Sequence, residues 1–237
     1  MKIIKSVLLI SIILLTGYSV YPQETIKRSD KLTPELTESF SILKSDKKLR
    51  QGEYTAVNKM KVILAKGNYN AGKRVGEWQF FADTGKLLQT FNYDKNEFSF
   101  LDTSAKRAFQ YHFLQDISQS DTVNNPVIIG GYYYAFMPLI YNRIDLFKAI
   151  GAVFPGTSKA RVKQVLTISA EGVLLKHLAL ITVGDKVISC ELDDSAFDDG
   201  SKKFTPAMIN HHPVACEITA LSSLNFTRSD VTQTTLY

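Results

Sequence analysis

Hydrophobic and polar positions divide the chain into stretches with different rhythms. An unbroken apolar run, Val7 to Leu15, stands just behind Lys2 and Lys5 and is followed by Gly17, Tyr18 and Ser19. Residues 24–49 are polar and charged with scattered apolar positions, and read as a leader (20–49) into the first folded part. Residues 50–98 carry short aromatic and β-branched runs broken at Asn70-Ala71-Gly72-Lys73 and Asp83-Thr84-Gly85-Lys86, which predicts β-hairpins with glycine in the turns. Over 99–125 the spacing of Phe109, Phe113 and Ile117 predicts a helical linker, closed by a Ser/Asp/Asn cluster. His112, among those aromatics, reads as a partly buried core residue rather than a ligand.

From Pro126 the rhythm changes again. Gly130-Gly131 precede a helical spacing through Tyr133, Phe136, Ile140, Ile144 and Phe147, with Pro138 starting or kinking the helix. Two strand-like runs, 161–169 and 173–183, flank Ala170-Glu171-Gly172 and predict a tight hairpin. The acidic stretch 191–203 reads as a helix beginning near Val187, and a last strand is expected over 215–226.

The segment 50–98 repeats itself. Gly52-Glu53-Tyr54 returns as Gly76-Glu77-Trp78, and the end of Lys66-Gly67-Asn68-Tyr69 as Asn92-Tyr93, both 24 residues on. With Tyr69-Asn70-Ala71-Gly72-Lys73, Gly76-Glu77-Trp78 and Gly85-Lys86-Leu87, this pattern resembles MORN-like repeats over about 47 residues. Tyr54, Tyr69, Trp78, Phe81 and Tyr93 are either a binding surface or the hairpins' own core.

The C-terminal third resembles the C-terminal domain of TonB-type proteins. The residues that carry it are Pro126, Val127, Gly130 and Gly131, then Val162, Val165, Ile168, Gly172 and Leu174. They continue with Phe204, Pro206, Ala207, Asn210, Pro213, Val214 and Asn225-Phe226. The chain departs from that pattern at Phe204, where tryptophan is usual, and at His211-His212 in the turn. The two resemblances imply an α+β fold: N-terminal antiparallel hairpins (50–98), then a small sheet with helices (126–230). They also imply partner binding by strand addition, in which main-chain hydrogen bonds hold an extended segment. The strand 215–226, read as an exposed edge, makes Ala215, Glu217, Thr219, Leu221 and Ser223 the candidate partner-binding residues.

Charge and composition narrow the function. The basic start, apolar core and small residues predict a secretory signal peptide over 1–19, cleaved after Ser19. The alternative is a retained anchor; a membrane span takes ~20 apolar residues, and 6–23 includes Ser, Thr, Gly, Pro and Gln. Either way the chain is exported, to the periplasm or outer membrane once the signal is cleaved. The formal charge of +5, or +3 once Lys2 and Lys5 leave with the signal, is too mild for nucleic acid. Cys190 and Cys216 are left as a bridge or as two thiols. No nucleophile, phosphate-loop or zinc-protease motif occurs, and neither His211-His212 with Cys216 nor Asp193 to Asp199 has metal-ligand spacing. The reading is therefore a non-catalytic interaction protein of the bacterial envelope, without cofactor or metal, whose partner is an envelope protein such as an outer-membrane receptor segment. Membrane association is left open. The rival is a membrane-anchored TonB-type energy transducer. Its linker would have to cross the periplasm at ~3.1 Å per residue if proline-rich, and 24–49 is neither long nor proline-rich.

Overall fold

A computed structural model describes residues 24–104, 109–141, 144–195, 202–226 and 231–235. The expected signal segment, 1–19, lies outside them. Strands account for 56% of the structure and helices for 11%, so the α+β class holds with the helices as a minor part.

Seven strands form one antiparallel meander in chain order: β1 (Thr25–Thr33), β2 (Leu36–Leu43), β3 (Arg50–Asn58), β4 (Ile63–Asn70), β5 (Lys73–Phe81), β6 (Leu87–Asn92) and β7 (Glu97–Leu101). The stretch read as a leader thus supplies two of them. Leu36 and Ile42 of β2 are buried, but one position in the same alternation is Glu38, which masks the strand rhythm. That glutamate is 5% exposed and held by Arg50 at 2.6 Å and by the Tyr54 hydroxyl at 2.9 Å. A buried charge needs such partners.

The repeat has a backbone meaning. Gly52 and Gly76 both take positive φ (77° and 62°), each inside a register shift of its strand. Only glycine enters that region at little cost, and the bulge re-aims the side chains beyond it. Two residues further on, Tyr54 and Trp78 are 1% and 0% exposed. Between them in the sheet lies Gly67, opposite Tyr54 on β4, and a Cβ there would overlap the Trp78 indole. The indole donates from Nε1 to the Asn68 carbonyl at 3.1 Å. Tyr54, Tyr69 and Trp78 are hence core; Phe81 and Tyr93 are half-buried.

Residues 110–113 are extended where a helix was expected. Phe109, Tyr111 and Phe113 also alternate, and β8 (Gln110–Phe113) pairs with a later strand, leaving His112 exposed. After β9 (Val123–Asn124), a π-helical turn (Gly131–Phe136) runs into α1 (Met137–Ile140), with Pro138 in its first turn, and α2 (Ile144–Val153) follows. The second main sheet holds β10 (Lys159–Ile168), β11 (Leu174–Val183), β12 (Lys186–Glu191), β15 (Cys216–Phe226) and β16 (Val231–Thr235), in the order β12-β11-β10-β15-β16, with β8 also on β15. The helix expected near Val187 is strand β12; its β-branched Val187 and Ile188 pair with β11, while 196–201 lie outside the described residues. A small sheet, β14 (His212–Val214), β13 (Ala207–Ile209) and β9, closes one end.

One segment joins the two sheets. Ile129, Tyr134 and Ala135 belong to the core of the first sheet, and Phe136, Leu139 and Ile140 to that of the second. Gln89 of β6 grips the joint from both ends of its amide. Its Nε2 donates to the Ile128 carbonyl (3.0 Å) and its Oε1 accepts from the Gly130 N–H (3.1 Å). The Tyr134 ring stacks on Phe80 at 5.7 Å, and its hydroxyl lies 2.9 Å from that of Tyr54. Burial pushes the Tyr54 hydroxyl well above the usual tyrosine range, with Tyr134 and Glu38 adding to the shift. Burial opposes the Arg50 charge, but Glu38 and Tyr69 outweigh it and raise Arg50 further.

Candidate functional site

The second sheet has two faces of different character. On one side α2 covers it: Leu146 and Ile150 pack with Ala160, Val162, Ala179, Ile181 and Leu224, and Ile188 and Cys190 lie alongside. The alternate positions form the outer face. Across the register, one row is Ser223, Arg161, Thr182 and Val187, and the next is Leu221, Lys163, Leu180 and Ser189. A third row is Thr219, Val165, Leu178 and Glu191.

Four of the five sequence candidates, Glu217, Thr219, Leu221 and Ser223, share this face by alternation, but Thr219 and Ser223 are buried and only Glu217 and Leu221 are part-exposed. Ala215 stands just before β15, where its carbonyl accepts from the Leu114 N–H at 3.1 Å. The strand that carries them is not the edge that was expected. β15 pairs with β10 along Lys159–Ile168 and, on its other side, with β8 at 216–219 and with β16 at 222–226. Its backbone groups are largely committed, because β8, read as part of a helix, is a strand and the chain returns once more after Phe226.

The outer strands lie elsewhere. In the first sheet, β1 presents exposed Lys27, Arg28, Asp30 and Lys31, charges that discourage pairing along an edge. β7 at the opposite margin is five residues long and shifts register against β6. β12 carries its charges, Lys186 and Glu191, only at its two ends. Among the described residues it pairs only with β11, over six residues without a register shift and without proline, and Val187 is 62% exposed.

Comparison with protein-family models, with curated proteins and with solved structures gives no match to this chain.

The remaining groups with chemical potential are accounted for internally. His177 lies fully buried within the second sheet, and a His–Asp pair invites a catalytic reading. Its Nδ1 lies 3.0 Å from Asp194 Oδ2, and its Nε2 lies 2.9 Å from Gln164 Oε1. The Gln164 amide is oriented by its Nε2, which donates to the Ile140 carbonyl at 2.9 Å. Both ring nitrogens consequently face acceptors, and among the described residues neither has a hydroxyl or thiol partner; the arrangement ties α1, β10, β11 and the loop after β12 together. No sequence motif flagged it, since its three residues lie on separate segments.

A cavity of about 230 Å³ lies at the joint, walled by Phe109, Tyr132, Phe136 and Leu101. The carboxylate at its rim, Asp102, is held by Lys86 at 2.6 Å and by the Ser104 N–H at 2.9 Å, which keep it well below the usual carboxylate range. His211 and His212 are exposed in the β13–β14 turn, and among the described residues no three His, Cys, Asp or Glu side chains are grouped to hold a metal. Cys190 and Cys216 are not joined in a disulfide. Burial pushes the Cys216 thiol up to about 11, out of the reactive range.

Proposed function

We propose that this chain is an exported, non-catalytic protein-binding module of the bacterial envelope, which takes an extended partner segment by strand addition at β12. The observation that carries this reading is a free margin of the second sheet, longer than those of β8 and β16: six residues paired on one side only, with an exposed valine among them. Unpaired N–H and C=O groups on such a strand are a template for another strand. The resemblances support it further. Gly52 and Gly76, anchors of the MORN-like repeat, sit at equivalent bulges, and Gly130, Gly131, Gly172 and Asn210 of the TonB-like pattern occupy positive-φ corners of the second domain. Export rests on the pattern of residues 1–19; among the described residues no helix is long and apolar enough to cross a membrane. A native chain beginning at or near Val20 is the expected result of N-terminal sequencing, and an intact Met1 in the inner membrane would point to the anchored transducer instead.

Strand addition is tested with peptides selected from a displayed random 12-residue library against the full chain. Val187→Lys places a charge at the free margin without touching the core. It should weaken the selected peptides at least about tenfold, since a charged edge disfavours pairing. Unchanged affinity in that variant sinks the proposal.

A further inference from the structure

The outer face of the second sheet carries a charge pattern that no carboxylate among the described residues answers. Lys159, Arg161 and Lys163 occupy three successive outward positions of β10, the strand between β11 and β15, and all three are exposed. Their orientation is fixed by the intervening Ala160, Val162 and Gln164, which are buried on the other side. Among the described residues none of the three cations lies in an ion pair. The two carboxylates of the face stand away from them. Glu191 is on the outer strand 3.9 Å from Lys176, and Glu217 is opposite Thr167 at the far end of β10. Beside the cations the register places Leu180 and Leu221, both half-buried, with Thr182, Ser223 and Asn225.

We propose that this face binds an acidic segment of a partner protein, lying extended along β10 with carboxylates at alternate positions. Successive outward residues of a strand are spaced by about 6.8 Å. The same interval separates every second side chain of any extended chain, so alternating carboxylates meet Lys159, Arg161 and Lys163 in register. The methylene stems of the acidic side chains lie against Leu180 and Leu221, which supply apolar contact, and the Thr182 hydroxyl can donate to an acidic oxygen. A membrane surface offers negative charge without that fixed interval, so a protein segment fits better. The inference rests on the reading of the chain as a protein-binding module and names the chemistry of its partner.

The test uses the full chain and a labelled twelve-residue peptide alternating glutamate and threonine. Fluorescence anisotropy should show binding that weakens as salt rises, as expected of exposed charges. The double variant Arg161→Glu with Lys163→Glu should weaken it tenfold or more. A control with the same change in charge on the first sheet, Lys27→Glu with Lys31→Glu, should stay within about twofold of the unaltered chain. Equal loss in both variants would mean attraction to net charge alone and would overturn the proposal. Equal binding of a lysine–threonine peptide, or no binding of the acidic one, would overturn it too. So would binding to phosphatidylglycerol vesicles that the double variant abolishes while the acidic peptide stays unbound, which would assign the face to lipid. The edge reading is tested separately: if Val187→Lys blocks library-selected peptides while the acidic peptide never binds, only the present inference fails.

Discussion

Replacing Trp78 with alanine is expected to cost about 3–5 kcal/mol, the range for truncating a large buried aromatic, and so to lower Tm by roughly 10 °C. Trp78 is wholly buried and meets Tyr54, Tyr69, Phe80 and Tyr93 at ring-centroid distances of 5.0, 5.1, 6.2 and 5.7 Å. The Arg74 guanidinium lies over the same indole at 4.7 Å. Removing the ring empties the centre of the first sheet, and Tyr134, stacked on Phe80, links that loss to the joint. Gly67→Ala should destabilise from the opposite direction, by about 1–3 kcal/mol, because its methyl group overlaps the indole. The two changes are coupled. With Trp78 already alanine, the Gly67 methyl has space, so the double variant should lose less than the sum of the singles. Thermal or urea unfolding of the four chains measures this. Strict additivity would mean that Gly67 serves some purpose other than making room for the ring.

His177→Leu is expected to cost about 3 kcal/mol or more, because it strands buried acceptors rather than merely removing volume. The Gln164 Oε1 loses its donor in a fully buried site, and Asp194, 13% exposed at its side chain, loses the ring that holds it. Gln164→Met alone should also destabilise, since it removes the amide that donates to the Ile140 carbonyl and faces His177. Combined with His177→Leu, it should cost less than the two changes summed, because the leucine no longer faces an unpaired amide oxygen. Urea unfolding reads the difference. A His177→Leu variant within about 0.5 kcal/mol of the unaltered chain would show that the buried hydrogen bonds do not hold the second sheet together.

Local patterns in the sequence located some elements and missed others for identifiable reasons. The hairpin over 159–183 was legible because Gly172 interrupts two alternating runs. The turn at 70–73 was legible for the same reason, and Ala71 and Gly72 there take positive φ (47° and 82°). Strand β2 was hidden because Glu38, an inward position, is charged, and its partners Arg50 and Tyr54 are remote in sequence. Strand β8 was misread because Phe109 and Phe113 fit a spacing of four as well as one of two, and the deciding residue, Tyr111, fits only the second. The candidate residues on 215–226 were placed on a common face by their period of two, a local property. Whether that strand is an edge depends on β8 and β16 arriving from distant parts of the chain, and no local pattern records such pairing. The free margin at β12 was invisible for the same reason.

Amide hydrogen exchange of the full chain, with and without a library-selected peptide, tests the central claim most directly. Backbone amides that gain a strand partner exchange more slowly. Added protection concentrated in 186–191, with Val187→Lys removing it, is the result this account expects. Protection confined to the first sheet or to the joint, with β12 exchanging as fast as in the free chain, would contradict strand addition at the second sheet.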